Sequence, residues 1–210
     1  MEDALDIEKD WRMLRKDLAD MSPSETVLAI CVGIGLSAAC GFRVFVPLLV
    51  TSIAAHSGNL QLGQNFQWLG STPALVTFSL ATVVEIAAYY VPWLDHLLDT
   101  IAAPAAVIAG TVITASLVAD VSPFLRWTLA IIAGGGSAGI VQGTTMLARG
   151  LSLAGTGGLA NPLVSTAELG GAIATSVLAL VLPVIALVLV ILLCTFVLMK
   201  VFQRRAKVRV

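Results

Sequence analysis

Apolar residues in this chain gather in runs of about twenty, set apart by short breaks rich in proline, glycine or uncharged polar residues. Runs of that length predict helices that cross a bilayer, whereas half-buried strands would alternate over about four to eight residues. The first segment has a different pattern. Ile7, Trp11, Leu14, Leu18 and Met21 recur at steps of four and three, which makes one stripe of a helix. Charges of both signs, Glu8 with Arg12 among them, fill the rest of its circumference. Residues 1–21 therefore read as an amphipathic helix that lies in the membrane interface, docks on a partner, or packs on the protein's own cytoplasmic face. Ser22-Pro23-Ser24-Glu25 follows as a capping box with proline at the first helical position, so a new helix begins there.

The apolar run over 26–56 is too long for one untilted span and contains Gly33, Gly35, Gly41, Arg43 and Pro47. It predicts a span that is tilted, kinked or broken near Gly41 to Pro47. Residues 57–72 are polar but uncharged, with Trp68 at the interface, and form a loop. A second span covers 73–91 and stops at Pro92, and Trp93 to Asp99 makes a short acidic turn. A third span covers 100–119. Pro123 starts a fourth that reaches Ala148, and the glycine-rich stretch 150–162 is a loop, re-entrant or not. The last run, 163–202, contains Glu168 and Lys200 as its only charges. It is either one helix kinked at Pro183 or two spans joined by a tight turn there. The domains expected are thus an amphipathic helix over 1–21, a transmembrane domain over 22–203 and a basic tail over 204–210.

Composition strengthens the membrane reading. Charged residues make up 12% of the chain, against about 25% in soluble domains. From Thr26 to Met199 the only charges are Arg43, Glu85, Asp95, Asp99, Asp120, Arg126, Arg149 and Glu168. So sparse a set cannot build a water-facing surface. The fold class expected is an all-α polytopic transmembrane helix bundle, with the lipid bilayer as its surroundings. A net charge of -1 offers nothing to nucleic acid. Cys31, Cys40 and Cys194 sit in apolar stretches without metal spacing, so neither a disulfide nor a metal nor any other cofactor is expected.

Charge bias orients the chain. The tail with Lys200, Arg204, Arg205, Lys207 and Arg209 is expected on the cytoplasmic side of a cell inner membrane, and the uncharged loop over 57–72 outside. With the N-terminal helix also inside, an even number of spans follows, and about six fits the apolar runs. Small residues recur at four-residue steps in two rows, Gly33-Ser37-Gly41 and Gly135-Gly139-Gly143. In lipid such rows let helix backbones approach closely. Each row is followed one span later by a lone glutamate, Glu85 or Glu168, which suggests two halves of about three spans related by an inverted repeat.

The intramembrane charges are the sharpest chemical signal. A charge at membrane depth costs at least about 2.5–3.5 kcal/mol, so Arg43, Glu85 and Glu168 must face an interior or a water-filled cavity and pair. They read either as a polar pathway with a substrate or ion site, or as an Arg–Glu tie between helices. Asp95 and Asp99, four residues apart beside His96, read either as part of a cation site or as helix caps favoured by the dipole. No P-loop, Gly-x-Ser-x-Gly, His-Glu-x-x-His or Cys-x-x-Cys occurs, so no enzyme activity is expected.

Glu85 through Pro92, Asp95 and Asp99 to Pro104 and Gly110 resembles the signature of an uncharacterised bacterial membrane-protein family, domain-of-unknown-function family 4126. Gly35-Leu36-Ser37-Ala38 through Pro47-Leu48-Leu49 is similar to that family's opening, and Arg149, Asn161-Pro162 and Glu168 extend the resemblance. The chain departs from the pattern at Tyr89, where the family has an aspartate, at Leu169, where it often has a second acid, and at Leu182, where a polar residue is usual. The first two departures reduce the charge available to a cation site. The resemblance implies a multi-pass membrane protein and supplies no activity. The expected function is a small ion or solute transporter or channel. The alternative is a scaffold or assembly subunit that meets its own copies or another membrane protein through the N-terminal helix, and a lipid-directed enzyme using Asp95 and Asp99 ranks third.

Overall fold

The computed structural model describes residues 23–89, 92–118 and 121–208, with the side chains of 23, 92–99, 201, 202 and 204–208 left outside the description. The amphipathic helix expected over 1–21 also lies outside the described residues. Among the described residues the chain is helical and holds no strand. The helices are α1 (Pro23–Cys40), α2 (Phe45–His56), α3 (Thr72–Ala88), α4 (Pro92–Leu117), α5 (Pro123–Leu129), α6 (Gly136–Thr156), α7 (Asn161–Val181) and α8 (Pro183–Val208). A 3-10 turn (Gln64–Gly70) precedes α3, and a π-helical stretch (Ala130–Gly135) joins α5 to α6.

Proline and serine mark the starts. α1, α4, α5 and α8 begin on proline, where the missing N–H costs nothing. Ser71 accepts from the Ala74 N–H and Ser122 from the Leu125 N–H, both at 3.4 Å, which caps α3 and α5. Pro183 separates α7 from α8, so the last apolar run is two helices. Helix α6 runs through Gly150 and Gly155 and ends only at Gly157, whose φ of 63° closes it in the left-handed region. The loop expected over 150–162 therefore shrinks to 157–160. Inside a membrane an unpaired backbone group costs several kcal/mol, more than the roughly 1 kcal/mol lost to a helical glycine. The acidic turn after Pro92 is likewise the start of α4 rather than a loop.

Among the described residues, four stretches are long and apolar enough to cross a membrane: Thr100–Leu117, Pro123–Thr156, Asn161–Val181 and Pro183–Lys200. A fifth is reached if the 3-10 turn and α3, bent by 58°, count as one span. α1 and α2 are apolar but shorter.

The contacts fix the directions of the helices. A Cβ on Gly33 would touch Thr114, and the Ser37 hydroxyl donates to the Gly110 carbonyl at 2.6 Å, so α1 and α4 run antiparallel. α2 and α3 are antiparallel as well, because Val44 and Phe45 meet Glu85 at one end and Ala55 meets Gly70 at the other. The Gly63 N–H donates to the Ser116 carbonyl at 2.8 Å, which puts the loop after α2 at the end where α4 finishes and α1 starts. The first apolar run thus breaks at the expected place, but it reverses there and returns as a hairpin instead of crossing once with a kink. The start of α1 and the end of α8 stand at opposite ends of the bundle, and the four or five candidate spans do not confirm the six expected from the sequence.

The glycine rows do pack closely. A Cβ on Gly41 would lie 2.5 Å from the Ala138 carbonyl oxygen and 2.6 Å from Val141, and one on Gly135 2.6 Å from Thr111. Only Gly143 faces open space within its row. Gly139, like Gly135, approaches Val107 of α4. Since α1 and α6 both run antiparallel to α4, the two rows lie on helices of the same direction. An inverted repeat requires opposite directions, so these rows do not form one.

Candidate functional site

The site grows out of the four-residue break between α1 and α2. The amides of Gly41, Phe42 and Arg43 donate back to the Ala38 and Ala39 carbonyls at 3.0–3.2 Å and close α1. The start of α2 then exposes backbone N–H groups that no local side chain caps. Glu85, near the end of α3, supplies the partner. Its Oε1 accepts from the Val44 N–H at 2.8 Å and its Oε2 from the Phe45 N–H at 3.1 Å. A carboxylate at a helix N-terminus gains from both the charge-assisted bonds and the dipole. Here it satisfies donors that lipid could not.

Arg43 reaches from the same break toward α7. Its Nη2 donates to the Ser165 carbonyl at 3.0 Å and to the Ser165 hydroxyl, and lies 3.9 Å from Glu168 Oε2. Arg149 of α6 completes the pairing. Its Nε donates to Glu168 Oε1 at 2.9 Å and its Nη2 to Glu168 Oε2, the two-pronged arrangement that a guanidinium makes with a carboxylate. Both guanidiniums lie over the ring of Tyr89, Arg43 at 3.8 Å and Arg149 at 4.0 Å from its centroid. The ring's negative face draws the two cations together. Two cations and two carboxylates, all buried, thus form one cluster.

The cluster is not fully saturated. Arg43, 2% exposed, keeps its Nε and Nη1 without a hydrogen-bond partner among the described residues. Buried hydroxyls of Ser52, Thr82 and Ser176 are also unpartnered, and they lie on α2, α3 and α7, helices that meet at the cluster. Polar positions therefore continue beyond the ions into the bundle.

The structure brings together Arg43, Glu85 and Glu168 of the expected site residues. The backbone of Asp95 and Asp99 lies one turn apart in α4, and their side chains fall outside the described residues. Among the described residues no three of His, Cys, Asp and Glu gather as a metal site would need. Arg149 and Tyr89 were not in the expected set. In the sequence Arg149 stands only as one of the sparse charges and as part of the family resemblance, and Tyr89 only as a departure from the family pattern. A signal for Arg149 existed. It stands seven residues before the end of α6, and Glu168 seven residues after the start of α7, so a helical hairpin with its turn at 157–160 sets the two level.

No curated protein and no solved structure matches the chain. A family model does, over residues 30–203 of the 210. That span includes every residue of the cluster and helices α2 to α7 entire. The chain belongs to the family described as domain of unknown function (DUF4126).

Proposed function

We propose that this protein is a small multi-pass transporter or channel of the cell inner membrane that carries an ion or small solute past the Arg43–Glu85–Arg149–Glu168 cluster. The observation that carries this reading is the cluster itself, four ionisable side chains buried where a membrane helix breaks and reverses. Ionised groups at membrane depth are costly and mark ion pathways and relays in bundles of this kind. The unpartnered donors of Arg43 and the buried hydroxyls on α2, α3 and α7 support it, because a permeating species needs groups with capacity to spare. With the basic tail taken as cytoplasmic, the cluster stands toward the cytoplasmic end, so the loop over 57–71 opens outside.

The test is flux in proteoliposomes holding the full chain. Wild-type protein moves an ion or solute above empty vesicles, and Glu168→Gln and Glu85→Gln lose that flux. No flux from wild type, or equal flux from both variants, overturns the reading. A second reading, a scaffold or assembly subunit, draws on the closed pairing of Arg149 with Glu168, which ties α6 to α7 as a structural cross-link would. A gentle-detergent pull-down that returns only this chain counts against it.

A further inference from the structure

A groove between α6 and α8 lies on the outer surface of the bundle, away from the charged cluster. Leu147, Ala148, Leu151, Phe196 and Val197 are among its walls, Lys200 stands at its rim, and it encloses about 380 Å³. Leu192, Phe196 and Met199 on the same helix are exposed, so in a membrane the groove opens on lipid. The Lys200 ammonium lies 5.4 Å from the Phe196 ring centroid, which holds the charge over an apolar wall. Its height is set by the helix. Pro183–Lys200 is 18 residues, about 27 Å at 1.5 Å per residue, close to the roughly 30 Å of a hydrocarbon core. With Pro183 at one face of the hydrocarbon core, Lys200 comes to the other face, within reach of the lipid phosphates. Beyond it the chain adds Arg204, Arg205, Lys207 and Arg209 and no acidic residue.

We infer that this groove binds an anionic phospholipid, with one acyl chain lying between α6 and α8 and the phosphate on Lys200. Apolar walls with one cation at the interfacial end match a lipid tail and its headgroup. The positive charge of Lys200, with four more basic residues in the next nine positions of the sequence, selects an anionic lipid over a zwitterionic one. The site is independent of the proposed transport, because none of its walls belongs to the charged cluster.

Native mass spectrometry of the full-length protein in detergent, titrated with phosphatidylglycerol or phosphatidylcholine, tests it. Phosphatidylglycerol is retained at the lower concentration. Lys200→Gln raises the concentration needed by about fivefold, the factor that corresponds to about 1 kcal/mol per basic side chain at an anionic surface. Ala148→Trp fills the groove and reduces retention of both lipids, while both variants keep the wild-type melting temperature in lipid-free detergent. Equal retention of the two lipids by wild type overturns the inference, as does unchanged phosphatidylglycerol binding in Lys200→Gln. Loss only when Arg204, Arg205 and Lys207 become Gln would move the site to the tail and also overturn it. A dimer broken by Ala148→Trp would show that a second copy occupies the groove, with the same consequence.

Discussion

Glu168 accepts from two nitrogens of Arg149 and stands 3.9 Å from Arg43, so one carboxylate balances two buried guanidiniums. Removing it leaves both cations desolvated. Glu168→Ala is therefore expected to cost about 3–5 kcal/mol, the range for breaking a buried pair on one side, read as a lowered midpoint in chemical unfolding in detergent. Arg149→Met combined with Glu168→Met should cost less than the sum of the single changes, because the pair then leaves together. Additive losses would show that the two side chains do not act as a pair. Glu85 behaves differently, since its main partners are backbone amides. Glu85→Gln keeps one acceptor and Glu85→Leu keeps none. Leu should therefore destabilise more than Gln, by about 1–3 kcal/mol for each donor left bare. Arg43, Glu85 and Glu168 were legible in the sequence because a charge inside an apolar run must find a partner. Arg149 lay beside a glycine-rich stretch that looked like loop, which hid it. Tyr89 gave no sign, because stacking between cations depends on where three separate segments of the chain put their side chains.

Between helices, close approach is set by residues that lack a side chain. Gly41 sits where α1 ends against α6, and a Cβ there would meet the backbone at Ala138 and Gln142 as well as Val141. Backbone cannot move aside as a flexible side chain can, so Gly41→Ala should destabilise by about 1–3 kcal/mol, the usual cost of overpacking. Gly143, in the second row, has open space around the Cβ position. Gly143→Ala should be neutral or stabilising by up to about 1 kcal/mol through helix propensity. Thermal melts of the two variants side by side check the contrast, and equal effects would sink it. The four-residue spacing of small residues revealed both rows but not which members touch a neighbour. The π-helical stretch at Ala130–Gly135, which brings Gly134 and Gly135 onto α4, left no mark in the hydrophobic pattern.

For the whole molecule, the hairpin of α1 and α2 has a direct consequence in accessibility. In a background without Cys31, Cys40 and Cys194, impermeant thiol reagents should label Asn65→Cys and Ser122→Cys from one side and Gly155→Cys from the other. Ser24→Cys decides between hairpin and single span. It labels from the Asn65 side if the chain reverses at Gly41 to Val44, and from the Gly155 side if residues 26–56 cross only once.

The sequence by itself determined that this is a helical membrane protein, that helices begin at Pro23 and Pro123, and that Arg43, Glu85 and Glu168 had to be buried. Those properties follow from local matters: run length against bilayer thickness, proline at helix starts, and the cost of an isolated ion in lipid. Only the tertiary structure decided that the first run doubles back, that the two glycine rows lie on helices of one direction, and that Arg149 and Tyr89 complete the cluster. A reversal and a kink leave the same glycine and proline marks in the chain. They differ in what meets the break, and here that is Glu85, about forty residues further along, whose carboxylate satisfies the restarting helix and makes the turn stable in lipid.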